Sequence, residues 1–295
     1  MDRIKVKVPA TSANLGAGFD IFGIALEEPF DIIEVEASDR TEIKVIGRDS
    51  QFIPTDVRKN TAGIVASILG RNARITIHRN IPLSSGLGSS AAPAAGTAFA
   101  LNELFSIGLS KEELVKIAAE GEKMTSGAAH ADNVAPAIFG GFVIATEQKI
   151  ISIMPDNIGI VAVHPEIMVN TREARALLPK RISLSDCSFN TARASSMVVG
   201  MMKSDIKLIG ESMENRVIEE VRSKLIKGYL KVRESALRTR ASGVTISGSG
   251  PTMIAVCRMD EREGIAEAMK EAFSESKIKS EAFITTIGKG AEVIL

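Results

Sequence analysis

Cysteine is nearly absent: Cys187 and Cys257 are the whole supply, far apart and outside any CxxC pair. Neither a disulfide framework nor a cysteine-based zinc site is open to such a chain. Three histidines in 295 residues supply a multi-histidine metal centre just as poorly. Charge of neither sign is in excess, since 36 Lys and Arg balance 36 Asp and Glu. Binders of nucleic-acid backbones carry a basic patch, so nucleic acid is not expected as a partner. Long apolar runs are missing too. Charges or glycines interrupt every stretch well before the roughly 18 residues that a membrane span needs. The opening MDRIKVKVPA alternates charge and valine like a strand, not like the core of a signal peptide. No membrane partner is expected, and the expected location is cytoplasmic.

What is present is an ordinary globular composition, 45% apolar and 24% charged, in a chain long enough for two domains. Period-2 alternation predicts strands over 4–8, 31–37, 42–46 and 73–78. A helix of small residues is expected over 89–105, and another from a Ser110–Glu113 capping box to Met124. Strands over 142–146, 150–154 and 158–164 follow, then a short helix over 171–178 that Asn170 starts. The remainder reads as helices over 189–203 and 206–237, strands over 243–247 and 253–257, a helix over 260–275 and a strand over 281–287. That closing order suits an α+β layer with helices on one sheet face. The domain boundary is expected at Met154-Pro155-Asp156, dividing the chain into 1–155 and 156–295.

Three glycine-rich islands carry the chemistry. The strongest is Pro82-Leu83-Ser84-Ser85-Gly86-Leu87-Gly88-Ser89-Ser90-Ala91-Ala92, between a strand and a helix. Glycine lets backbone N–H groups turn toward a ligand. The helix behind adds free N–H groups and a partial charge of about +0.5. Together these suit the phosphates of a nucleotide, with the Ser89 and Ser90 hydroxyls placed to reach phosphate or magnesium. A Walker A loop is excluded, because no GxxxxGK(S/T) string occurs. Gly86-x-Gly88-x-x-Ala91 does match the dinucleotide fingerprint formally. However, the strand before it ends near His78, and Glu103 falls short of the acidic position about 20 residues on. The second island, Pro9 to Asp20 (PATSANLGAGFD), concentrates hydroxyl, amide and carboxylate groups; a plain polar turn is its alternative. The third, Ile246-Ser247-Gly248-Ser249-Gly250-Pro251, reads equally as a glycine hairpin loop between strands.

In this order and spacing the islands resemble the three motifs of the GHMP kinases, and the likeness runs from residue 5 to about 290. PATSANLGAGFDIFGIAL at 9–26, SGAAHADNVAPAIFGGF at 126–142 and NTREARALLP at 170–179 are most similar to the homoserine kinase branch. The resemblance implies an α+β, two-domain fold. Its N-terminal domain is expected to be like the second domain of ribosomal protein S5 and its C-terminal domain ferredoxin-like, with the ligands meeting between them. It also implies an enzyme that transfers the γ-phosphoryl group of ATP to the side-chain hydroxyl of L-homoserine, a step toward threonine. Mevalonate, shikimate or another small alcohol is the alternative acceptor, and a non-catalytic nucleotide-binding regulator is the alternative without chemistry.

The same resemblance distributes roles. Residues 82–92 would hold ATP, and Ser90 with Glu122 would hold Mg²⁺. Asn14, Asp20, His130, Asn133, Arg175 and Arg222 match positions that contact the acceptor. Arginine suits an α-carboxylate because its guanidinium makes two parallel bonds, and Asp20 suits an α-ammonium. Glu122, Asp132 and Asn133 are the catalytic candidates. Asp132 falls where mevalonate kinase-like members carry a proposed base; the alternative is that the proton passes to phosphate. His130 has a core role as its alternative, while His78 and His164 are read as structural and Lys123 is assigned nothing. A homodimer is implied as well. With one tyrosine and no tryptophan, adenine has no evident aromatic platform, and aliphatic side chains of residues 52–70 are the candidates to sandwich it.

Overall fold

In the computed structural model, which describes residues 2–126 and 131–294, the alternating N-terminus becomes a long ribbon. Strands β1 (Arg3–Ala13) and β2 (Phe22–Ala37) pair antiparallel. Their outer halves alternate: Ile4, Val6, Ile33 and Val35 are buried, while Lys5, Lys7, Glu34 and Glu36 are half-exposed. That is the mark of a sheet with one wet face. Their inner halves are buried on both faces, because the second half of the chain packs there. Pro9–Ala13, beyond the predicted end of the first strand at residue 8, therefore continue as strand. A register shift between Pro9 and Thr11 lets β2 swing outward, and Leu26 bridges to Ile287.

The first half continues with β3 (Glu42–Gly47), α1 (Thr61–Ile68), β4 (Ala73–Arg79), α2 (Ala91–Leu104), α3 (Lys111–Ser126), α4 (Ala131–Phe139), β5 (Phe142–Ala145) and β6 (Ile150–Ile153). The predicted capping box forms: Glu113 Oε2 accepts from the Ser110 N–H at 2.8 Å, and the Ser110 hydroxyl accepts from the Glu113 N–H at 3.3 Å. Helices α2 and α4 lie on β1 and β2. The small residues of α2 allow a close approach, since a Cβ at Gly96 would lie 2.4 Å from Val8 Cγ2 and 2.5 Å from Ile33 Cγ1. Helices α1 and α4 escaped the sequence reading. The first has six of eight residues buried and so no polar face, and the second carries Pro136 inside it.

The second half comprises β7 (Gly159–Pro165), α5 (Thr171–Ala176), α6 (Leu184–Lys203), α7 (Ile206–Ser212), α8 (Ile218–Arg222), α9 (Tyr229–Arg238), β8 (Gly243–Ile246), β9 (Met253–Cys257), α10 (Arg262–Glu275), β10 (Ser280–Thr286) and β11 (Glu292–Val293). Its sheet runs β10–β7–β9–β8, a ferredoxin-like β-α-β-β-α-β arrangement. The larger sheet runs β11–β1–β2–β4–β3, with β5 joining β2 to β6. Period-2 alternation splits the smaller sheet between two cores. Ile160, Ala162, Ile254 and Val256 face Met197, Met201, Ile209 and the first half. Val161, Val163, Met253 and Ala255 face α9 and α10 through Val232, Met269 and Phe273.

The single helix expected over 206–237 is instead three short helices. Asn215 breaks it: its Oδ1 accepts from Val217 N at 3.0 Å and Ile218 N at 2.9 Å, and its Nδ2 donates to Gly16 O at 2.9 Å. Helix α6 starts at Leu184, earlier than expected, because the Ser183 hydroxyl caps it by accepting from Asp186 N at 3.0 Å. Among the described residues no helix is long and apolar enough to cross a membrane.

Candidate functional site

The three glycine-rich islands, far apart in sequence, are bonded to one another. Thr11 N donates to Leu87 O, Gly248 N to Ala13 O and Thr252 N to Ser85 O, each at 3.1 Å. The Ser247 hydroxyl reaches Gly86 O at 2.7 Å and the Ser12 hydroxyl at 2.8 Å. Plain local turns have no need of such cross-bonding. Two glycines make it possible. A Cβ at Gly86 (φ +82°) would lie 2.5 Å from Ser247 O, and one at Gly88 (φ +67°) 2.0 Å from Thr11 Oγ1.

The central loop has the geometry of an anion site. Ser84, Gly86 and Gly88 take positive φ (54°, 82° and 67°) while Ser85 and Leu87 do not. Alternating φ of this kind is the backbone pattern of an anion nest, and one of its N–H groups, that of Leu87, already donates to Ser85 Oγ at 3.2 Å. Helix α2 follows directly, and its N-cap residue Ser90 makes no side-chain cap bond. Instead the Ser90 hydroxyl donates to Glu122 Oε1 at 2.6 Å, Glu122 being 1% exposed. The helix start keeps its partial positive charge for a ligand.

Facing this loop is a cleft lined by Asn14, Asp20, Ser84, Gly86, Gly88, Ser89, Ser90, Glu122, Asp132, Asn133, Arg175 and Arg222. The structure thus brings together every described residue expected at the acceptor or metal positions. His130 lies outside the described residues. Pro82, Ser85, Leu87, Ala91 and Ala92 are buried beneath the loop and Leu83 is exposed, so they shape it without facing the cleft. Among the described residues none from 52–70 lines this cleft.

Several side chains hold one another. Arg175 grips Asp20 with two bonds, Nη1 to Oδ2 at 3.0 Å and Nη2 to Oδ1 at 2.7 Å. Asn14 at φ 71° donates to Gly248 O and accepts from Asp20 N, both at 3.0 Å. The buried Arg222 donates to Gly248 O at 2.7 Å, and burial, then the neighbouring Arg175, holds its pKa below the usual guanidinium value. Asn133 Oδ1 accepts from the Thr11 hydroxyl at 3.0 Å. Burial, reinforced by the charge of Asp20, pushes the pKa of Asp132 up to about 7. A carboxylate titrating there can take a proton near neutral pH.

Sequence reasoning gave no role to Thr171 and Ser249, whose hydroxyls meet at 3.1 Å on the cleft wall. The serine was visible in the third island, whereas Thr171 stands beside the helix cap Asn170 and was hidden by that reading. Phe19 was missed as well; the guanidinium groups of Arg175 and Arg222 lie 5.5 Å and 5.4 Å from its ring. His78 and His164 take structural partners, Glu34 at 3.3 Å and Thr252 at 3.2 Å.

Two family models match the chain: GHMP kinases N terminal domain over residues 57–141 and GHMP kinases C terminal over residues 197–275. Homoserine kinase of Methanocella arvoryzae is 52% identical over 294 residues, covering 100% of this chain and 98% of its own. Homoserine kinase of Natronomonas pharaonis is 50% identical over 290 residues, covering 98% and 99%. A crystal structure of homoserine kinase from Cytophaga hutchinsonii superimposes with a TM-score of 0.92 at 35% identity, covering 100% of this chain and 98% of that one. L. major mevalonate kinase in complex with R-mevalonate has the same fold, with a TM-score of 0.77 at 17% identity and coverage of 97% and 96%.

Proposed function

The chain belongs to the GHMP kinase family, and we propose that it is an ATP-dependent homoserine kinase. It moves the γ-phosphoryl group of ATP to the side-chain hydroxyl of L-homoserine, giving ADP and O-phospho-L-homoserine. Identity near 50% along the whole length to homoserine kinases supports this reading. The observation that carries it at the level of chemistry is one cleft with the positive-φ loop and the start of α2 on one wall and Asp20, Arg175 and Arg222 also lining it.

Phosphoryl transfer asks the protein mainly for positioning and charge stabilisation. The loop 84–90 and the start of α2 bind the phosphates. Arg175 and Arg222 receive the α-carboxylate of the acceptor, while Asp20 and Asn14 meet its α-ammonium. Asn133 orients the acceptor, with Thr11 holding its side chain at 3.0 Å. Asp132 takes the hydroxyl proton.

Among the described residues no three His, Cys, Asp or Glu side chains converge as a metal cage. The pair Ser90 and Glu122 offers two oxygens at the phosphate wall, with the carboxylate buried. That set fits Mg²⁺, which takes one or two protein ligands and completes its shell with phosphate and water. Bound there with ATP, Mg²⁺ neutralises phosphate charge. The reading further places residues 1–155 and 156–295 as the two domains, the protein in the cytoplasm, and two copies in a homodimer.

The test is ADP release from Mg-ATP with L-homoserine, D-homoserine, mevalonate and shikimate in parallel. Turnover confined to L-homoserine is expected. Turnover with another alcohol alone would discard the acceptor assignment, and tight ATP binding without turnover would leave a regulator.

A further inference from the structure

Asp31 and Arg79 form an ion pair beneath the phosphate loop, Nη1 to Oδ2 at 2.7 Å, with side chains 0% and 1% exposed. They face each other across β2 and β4, one step beyond the Ile32–His78 register pair. Neither lines the cleft. Burying two charges costs several kcal/mol per ion, and a well-packed apolar pair often stabilises a fold as well. Stability alone therefore gives no reason for this pair. Burial pushes the pKa of Asp31 up and that of Arg79 down, as it does for any charge removed from water.

What the pair organises is the segment between β4 and α2. Asp31 Oδ1 accepts from Asn80 N at 2.8 Å and Ile81 N at 3.0 Å, fixing the loop where it leaves the sheet. Arg79 Nη2 donates to Ile81 O at 3.2 Å, at the same end. Arg79 Nη1 donates to Ser89 O at 2.7 Å, at the far end where the helix begins. One guanidinium thus ties the entry and the exit of the glycine-rich loop together. In a trans peptide the C=O and the next N–H point in opposite directions. Holding Ser89 O inward toward Arg79 turns the Ser90 N–H outward, toward the cleft that both serines line. A cation on the carbonyl also polarises that peptide and strengthens its N–H as a donor.

We propose that Asp31 and Arg79 are positioning residues for nucleotide binding: a buried clamp that sets the span of loop 80–90 and aims the Ser90 N–H at a phosphate. The assignment rests on reading the loop as the ATP phosphate site. Direct titration of Mg-ATP, together with steady-state kinetics, is run on the wild type, on the charge-free double variant Asp31→Leu/Arg79→Met, and on Arg79→Lys. A wild type that fails to bind ATP would overturn the phosphate reading itself. With wild-type binding intact, the folded double variant should lose about tenfold or more in ATP affinity, with KM for ATP raised in step, while KM for homoserine stays within about twofold.

Arg79→Lys keeps the charge beside Asp31 but reaches one carbonyl end only, so an intermediate loss of ATP affinity is expected, together with some loss of thermal stability from the buried carbonyl left without its donor. It also keeps the question open to measurement should the double variant not fold. Unchanged ATP affinity in either folded variant would overturn the clamp, as would equal losses of affinity for both substrates.

Discussion

Arg175 and Asp20, 155 residues apart, hold each other by two parallel bonds at the mouth of the cleft. The sequence reading assigned them to opposite ends of the acceptor, the carboxylate and the ammonium. In the structure they are each other's partner, so on that reading the acceptor would have to part them. Both side chains are about two-fifths exposed, 43% and 42%, so water screens the pair and it opens at small cost. An amino-acid zwitterion would replace it charge for charge. A monoanion that takes Arg175 leaves Asp20 uncompensated near Asp132, whose pKa that charge already raises.

Arg175→Lys is accordingly expected to raise KM for L-homoserine by about tenfold or more, with KM for ATP little changed, because lysine cannot make the bidentate contact. Asp20→Asn should weaken L-homoserine and narrow its advantage over hydroxy acids without an amine. Steady-state kinetics with both substrates varied decides the matter. An unchanged acceptor KM in Arg175→Lys would remove its carboxylate role.

Asp132 sets an expected pH dependence. Its proton comes off at about 7, burial being the largest cause, so kcat/KM should rise as pH passes through about 7. Asp132→Asn should lose that limb together with most of the turnover. A full limb in the variant would favour transfer of the hydroxyl proton to phosphate.

The same group leaves a trace in stability. Below the ordinary value of 3.8 both folded and unfolded chains carry the proton, and Asp132 contributes nothing. Between there and about 7 the folded chain holds the proton while the unfolded chain has lost it, so stability falls as pH rises. Asp132→Asn should therefore gain on wild type across that interval, by up to about 4 kcal/mol at the top of it. Denaturant titrations at several pH values measure the gap; a gap that is flat with pH would mean an unperturbed carboxylate.

Glu122→Gln should cut kcat by roughly a hundredfold while leaving the melting temperature within a few degrees, since the amide preserves shape but not charge. The dependence on Mg²⁺ concentration should weaken with it. Full activity at ordinary Mg²⁺ would withdraw Glu122 from the metal.

How much was legible in the sequence depends on the range of the interaction that decides each feature. Strands β3, β4 and β9 and helix α3 were read close to their limits, because alternation or a local cap such as Ser110–Glu113 sets them. Pro9–Ala13 looked like loop, and only the second half packed over it makes it a two-sided buried strand. The break at Asn215 was invisible for the same reason: its Nδ2 bonds to Gly16, 199 positions away. The meeting of the three glycine-rich islands was legible because loops that must approach each other closely need glycine and small hydroxyl residues, whatever lies between them. Asp31 and Arg79 were not, since a charged residue at a strand end looks like solvated surface until its burial is known.

Gly88 offers the most direct test of the three-loop junction. Its φ of +67° is strained for any other residue, and a Cβ there would lie 2.0 Å from Thr11 Oγ1, with Thr11 Cβ at 3.3 Å. Thr11 in turn donates to Asn133 at 3.0 Å, so displacing it disturbs the acceptor wall as well as the phosphate wall. Gly88→Ala should lower stability by about 1–3 kcal/mol and raise KM for both substrates. Adding Thr11→Ala removes the hydroxyl that clashes but not the backbone strain, so partial recovery of ATP binding is expected beyond what additivity gives. Strictly additive losses in that double-mutant cycle would mean that Gly88 and Thr11 do not share the contact on which the cleft is built.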